Sequence, residues 1–89
     1  MTTALRIVIK PRPRYTDAAR QAQNQGTIKL KITFSAHGEI SSINPVSGLP
    51  NGLTEQAIYA AQRIVFIPPR KNGVPYAVVK TVEYTFAIY

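Results

Sequence analysis

Few groups in this 89-residue chain could do acid–base or metal chemistry: one histidine, His37, and four carboxylates, Asp17, Glu39, Glu55 and Glu83. General acid–base catalysis needs two such groups converging on one substrate within hydrogen-bond reach. Here they fall at a helix start, in a turn, at a second helix start and in a strand, with no motif-like spacing. His37 belongs to Ala36-His37-Gly38-Glu39, which reads as a turn tip and so as an exposed structural position. One imidazole and four dispersed acids do not make a metal-ligand set. Cysteine is absent, which removes disulfides, thiolate ligands and cysteine nucleophiles together. Gly26, Gly38, Gly48, Gly52 and Gly73 each mark a turn, and none forms a phosphate-cradling loop. The chain reads as non-enzymatic, with neither cofactor nor metal.

What remains is binding, and charge is its first clue. Eleven basic residues stand against four acidic ones, a formal net charge of +7. That balance favours an anionic surface, a nucleic acid or an acidic partner. Only 17% of residues are charged, so the excess reflects few acids more than many bases. It is also uneven: Arg6, Lys10, Arg12, Arg14 and Arg20 crowd the first twenty residues, and Arg63, Arg70 and Lys71 cluster later. A single-strand nucleic-acid binder interleaves aromatics with bases on one exposed sheet face. Lys29 and Lys31 lie on a polar strand face and Tyr59, Tyr76 and Tyr89 are free to stack. Phe34, Tyr84 and Phe86, however, share parity with the core, which leaves a solvated lysine face over a packed interior as the better reading.

The elements that must position any site follow from patterning. At 45% apolar residues the chain supports one thin two-layer core, a domain of this size burying roughly 60–70% of its unfolded surface. No apolar run approaches the ~20 residues of a membrane span, and no signal peptide is evident. Leu5 to Ile9 is a short apolar stretch, and Pro11 and Pro13 hold the chain extended after it. Thr16-Asp17 with Ala18, Ala19 and Ala22 predicts a short capped helix stopped by Gly26. Thr27 to Phe34 alternates apolar and polar residues, the period of a half-buried strand. A turn at Gly38 returns Ile40 to Val46 as a second strand, whose slipping parity predicts a bulge and whose Pro45 predicts an edge. Thr54 to Val65 carries helical periodicity, with Thr54 as N-cap and Pro68-Pro69 as the stop. After a turn at Lys71-Asn72-Gly73, Val74 to Tyr89 reads as one long strand. There Lys80 breaks the apolar parity, so either a bulge re-aims it or it meets solvent.

The fold class is therefore α+β, in the order helix-strand-strand-helix-strand, with two helices on one face of a three-stranded antiparallel sheet. Placing the last strand beside the first satisfies crossover handedness and leaves the last strand as a long, mostly apolar edge. Such an edge is an aggregation hazard unless it is covered or used, and strand addition by an extended partner is one use. The tether of Lys10 to Arg14 spans up to ~17 Å at about 3.3–3.6 Å per residue, enough to lay Leu5–Ile9 along a sheet edge. The last strand's edge is the expected place, where this extra strand would compete with an incoming peptide.

The segments PRPRYTDAARQAQNQGTIKLKITFSAHGEI and VSGLPNGLTEQAIYAAQRIVFIPPRKNGVPYAVVKTVEYTFAIY resemble the C-terminal domain of TonB-type energy transducers. Pro13, Tyr15, Ala19 and Arg20 stand ahead of Gly26; Gly38, Ser47-Gly48, Leu53 and the Ala57, Ala60, Ala61 spacing follow; Phe66, Pro68, Gly73, Pro75 and Phe86-Ala87-Ile88 complete the pattern. The match runs from about Lys10 to Tyr89, which divides the chain into an arm or extra strand at 1–10 and a TonB-like domain at 11–89. Three features depart from the family. Tyr15-Thr16 stands for the common Tyr-Pro, Ile64-Val65-Phe66-Ile67-Pro68 for Trp-x-Phe-x-Pro, and Arg12 and Arg14 for polar residues.

The resemblance implies a periplasmic domain of a protein anchored in the inner membrane, with the anchoring helix and a proline-rich spacer preceding Met1. Such domains capture the TonB box, an extended segment of outer-membrane transporters, on the last strand, and pass on force from a proton-driven inner-membrane complex. The implied binding residues are Arg12, Pro13 and Arg14 with Val78, Val79, Lys80, Thr81, Val82, Glu83 and Tyr84, in a monomer or weak dimer with no nucleic-acid partner. A TolA-like envelope linker or sensory interaction domain of the same fold is the alternative.

Overall fold

The computed structural model describes residues 1–88, so Tyr89, the third of the tyrosines weighed for stacking and the expected end of the last strand, lies outside the described residues. In chain order the elements are β1 (Thr2–Thr3), β2 (Arg6–Ile9), α1 (Asp17–Gln21), β3 (Gly26–Phe34), β4 (Ile40–Pro45), α2 (Leu53–Gln62), β5 (Val65–Ile67), β6 (Arg70–Lys71), β7 (Val74–Pro75) and β8 (Val78–Phe86). The main sheet has the order β4-β3-β8 and is antiparallel throughout.

Alternation decides which face of that sheet is dry. Ile28, Leu30, Ile32 and Phe34 of β3 and Val82, Tyr84 and Phe86 of β8 are buried, while their odd neighbours project to the opposite, polar face. There Lys29 Nζ lies 3.9 Å from Glu83 Oε1, Thr27 and Thr85 share a hydroxyl hydrogen bond of 3.2 Å, and Ser42 donates to Thr33 at 2.9 Å. Leu53, Ala57, Ala60 and Ala61 of α2, with Ala19 of α1, close over the apolar face. Small alanines let the helix backbones approach the sheet closely, and Phe34 meets Phe66 edge-on at 4.8 Å to fill the end of the core.

Thr16 caps α1 as its type predicts, accepting a hydrogen bond from the Ala19 amide at 3.1 Å. The helix closes not at Gly26 but at Gln23, which takes the left-handed conformation (φ +56°), and of Ala18, Ala19 and the capping Ala22 only Ala19 is buried. The turn at Gly38 (φ +86°) and the β4 bulge, between Thr33 and Phe34 in the pairing, form as expected. Lys80 is exposed and pairs with Ile32 in an unbroken register, so it meets solvent without a bulge.

Four expectations fail for identifiable reasons. Thr54 does not cap α2, because its hydroxyl accepts from the Leu49 amide (2.9 Å) and donates to the Leu49 carbonyl (3.0 Å); Gly52, left-handed at φ +83°, takes the cap position instead. The helix stops at Gln62 rather than Val65, because Val65-Phe66-Ile67 is drawn into a strand. Its partner is Arg6–Ile9, with Arg6 opposite Ile67, Ile7 opposite Phe66 and Ile9 opposite Val65. The N-terminal strand therefore pairs with β5 and not with β8. Finally, the expected single strand from Val74 is broken into β7 and β8 at Tyr76-Ala77. β7 folds back on β6 through the left-handed pair Asn72-Gly73 (φ +53° and +79°), a tight hairpin turn, and β1 completes that ribbon. The described residues extend over 50 × 21 × 15 Å.

Candidate functional site

The direction of each main-chain group on β8 follows from the ladder. In an antiparallel pair a residue's N–H and C=O point to the same side, and successive residues alternate. The Lys29 carbonyl accepts from the Val46 amide at 2.8 Å, so Lys29, Lys31 and Thr33 turn toward β4. Ile28, Leu30 and Ile32 then turn toward β8 and bond their partners Tyr84, Val82 and Lys80. Val79, Thr81, Glu83 and Thr85 must therefore present both N–H and C=O to the outside, and among the described residues no strand pairs with that side. This is a nine-residue strand with an open row of donors and acceptors, 4.7–4.9 Å short of where a further strand would lie.

Along the Glu83–Ala87 half of that edge runs the segment Lys10-Pro11-Arg12-Pro13, and the two enclose a groove of about 480 Å³. Its floor is aromatic. Tyr15 meets Phe86 edge-on, centroids 5.5 Å apart at 87°, and is held by its hydroxyl, which donates to the Asn24 carbonyl. The Lys10 ammonium donates to the Glu83 carbonyl at 2.8 Å and lies 4.7 Å from the centre of the Tyr84 ring. Tyr84 Oη is buried without a hydrogen-bond partner among the described residues, and that burial raises its pKa above the ordinary phenol value. Among the described residues no backbone hydrogen bond joins this segment to β8, and Pro11 and Pro13 carry no N–H to offer on their side of the chain.

Of the residues singled out from the sequence, Arg12, Pro13, Glu83 and Tyr84 meet in this groove. Val78, Val79, Lys80, Thr81 and Val82 form the open continuation of the edge. Arg14 lies elsewhere, lining a hollow with Thr16, Asp17 and Gln56. Sequence reasoning missed Lys10, Pro11, Tyr15, Thr85, Phe86 and Ala87 as groove residues. Parity alone places Thr85 with Thr81 and Glu83; nothing local marks Lys10, whose contact spans 73 positions of sequence.

A family described as "Gram-negative bacterial TonB protein C-terminal" matches residues 11–88. The chain belongs to this family. Its fold is similar to that of the TonB C-terminal domain of Pseudomonas aeruginosa solved in solution, with a TM-score of 0.72, 23% identity, and coverage of 94% of this chain and 86% of that one. No curated protein matches the chain. Of the positions read from the sequence as departures, Thr16 caps α1 and Ile64 is buried in the core.

Proposed function

We propose that this domain binds an extended peptide by adding it as a strand to the outer side of β8, and that the peptide is the TonB box of outer-membrane transporters. The outward main-chain row on Val79, Thr81, Glu83 and Thr85, which no strand pairs with among the described residues, and the groove beside it carry this reading. Main-chain bonds would supply affinity and the groove would select side chains. Membership of the TonB C-terminal family supports a periplasmic setting and a role in passing force from a proton-driven inner-membrane complex to the transporter. Lys10, Arg12 and Arg14 favour segments bearing acidic neighbours, chiefly through the association rate, over a field screened within ~8 Å at physiological ionic strength.

The test is a titration of the isotopically labelled domain with synthetic peptides from transporter N-termini. Amide shifts should concentrate on Val78–Tyr84 and Lys10–Arg14. Shifts confined to the Lys29 and Lys31 face would show that strand addition is the wrong mode.

A further inference from the structure

The open edge is not bare along its whole length. An incoming strand needs the Glu83 carbonyl as an acceptor, and the Lys10 ammonium already holds it at 2.8 Å. We propose that Lys10 is a latch on this edge: it occupies the Glu83 carbonyl in the free domain and yields it to an extended segment that offers the ammonium a carboxylate in exchange. This rests on the strand-addition reading and adds to it the chemistry of the preferred partner.

Three observations place Lys10 in this role. Its ammonium bonds a main-chain oxygen and covers the Tyr84 ring, yet among the described residues the one ion pair is Lys29 with Glu83, on the other face of the sheet. Lys10 is thus a cation seated on the edge without a carboxylate of its own. Next, among the described residues no backbone hydrogen bond joins the flanking main chain to β8, so closure rests on the Lys10 side chain, which can swing away without unfolding anything. Finally, β2 fixes where Lys10 sits, because Ile9 is paired with Val65.

The energetics favour exchange over simple loss. Displacing Lys10 with a neutral strand replaces a charge-assisted hydrogen bond by an ordinary amide one, the weaker of the two. A carboxylate beside the displaced ammonium restores a charged partner at the same place. The latch therefore weakens binding of neutral extended segments generally and spares those with an acidic residue near Glu83.

The experiment uses two alternating Thr/Val heptapeptides with blocked ends, one with a central glutamate and one with glutamine, against the wild-type domain and Lys10→Met. In the wild type the glutamate peptide should bind about five- to tenfold tighter than the glutamine peptide. In Lys10→Met the glutamine peptide should gain about threefold or more over its wild-type affinity, and the preference should fall to within about twofold. Equal affinities in the wild type, or no gain for the glutamine peptide in Lys10→Met, would overturn the exchange. The carbonyl carbon shift of Glu83 in the peptide-free domain gives an independent readout. It should move on Lys10→Met, and an unchanged shift would show that no latch exists. Should neither peptide perturb β8 amides in either protein while the Glu83 shift does move, strand addition fails and the handover with it, while the resting Lys10 contact stands.

Discussion

Two neighbouring residues on β8 separate the outward edge from the inward ladder with a single kind of substitution. Lys80 and Thr81 are both exposed, so exchanging either for proline disturbs little side-chain packing. They differ in where the amide points. Lys80 pairs with Ile32 across the hydrogen-bonded positions of the ladder, whereas Thr81 faces outward. Lys80→Pro removes a ladder donor and strands the Ile32 carbonyl, at a cost of about 1–3 kcal/mol. A domain of this length has a total stability of about 4–13 kcal/mol, and each 1 kcal/mol shifts Tm by roughly 4–8 °C. Lys80→Pro should therefore melt roughly 5–20 °C lower. Thr81→Pro removes no ladder bond, and its effect on Lys80 is to favour the extended backbone that Lys80 already has; its stability should stay within about 1 kcal/mol of wild type. Peptide binding should show the reverse sensitivity. Thr81→Pro deletes one intermolecular donor and places a ring in the partner's path, weakening binding about tenfold or more. Thermal melts and calorimetric titration of a transporter N-terminal peptide measure both quantities. Equal destabilisation by the two prolines would refute the assigned ladder direction, and unaltered peptide affinity in Thr81→Pro would refute use of this edge.

Other consequences are local. Tyr84→Phe removes a buried hydroxyl that lacks a partner among the described residues, so urea unfolding should show stability unchanged or raised by up to about 1 kcal/mol. Because burial raises the Tyr84 pKa, the unfolded chain ionises first; the wild type should lose stability as pH climbs above the ordinary phenol value of about 10, and Tyr84→Phe should lose less. Gly48→Ala would set a methyl 2.6 Å from Thr54 Oγ1, prising that hydroxyl from Leu49; it and Thr54→Val should each cost about 1–2 kcal/mol in the same assay, with Thr54→Ser near neutral. Removing residues 1–8 takes away most of the strand that pairs with β5 and Leu5, which packs against the core, so Val65–Ile67 amides should exchange faster and stability fall by about 1–3 kcal/mol.

Local patterns made much of this fold legible. The alternation in Thr27–Phe34, the turn at Gly38 and the cap at Thr16 depend on neighbours in sequence, and each behaves as its residue types require. The edge position of β8 followed from connectivity and handedness. Val65-Phe66-Ile67 did not yield, because a short apolar run suits a helix end and a strand equally well, and the choice was made by Arg6–Ile9 some sixty residues away. Thr54 was misassigned for a related reason: a hydroxyl that can cap a helix can equally bind a loop, and Leu49 was nearer. In the candidate site, parity marked the faces of β8 and connectivity made it an edge, while the Lys10 contact with Glu83 arises only once the chain has folded.

The central claim is that a partner adds to β8 as a strand, and amide hydrogen exchange with and without a bound transporter peptide tests it residue by residue. The account predicts an alternating footprint. Amides of Val79, Thr81, Glu83 and Thr85 that the peptide covers should slow, while those of Lys80, Val82 and Tyr84, already bonded to β3, should change far less. Uniform slowing along β8, or protection confined to the Lys29 and Lys31 face, would contradict it.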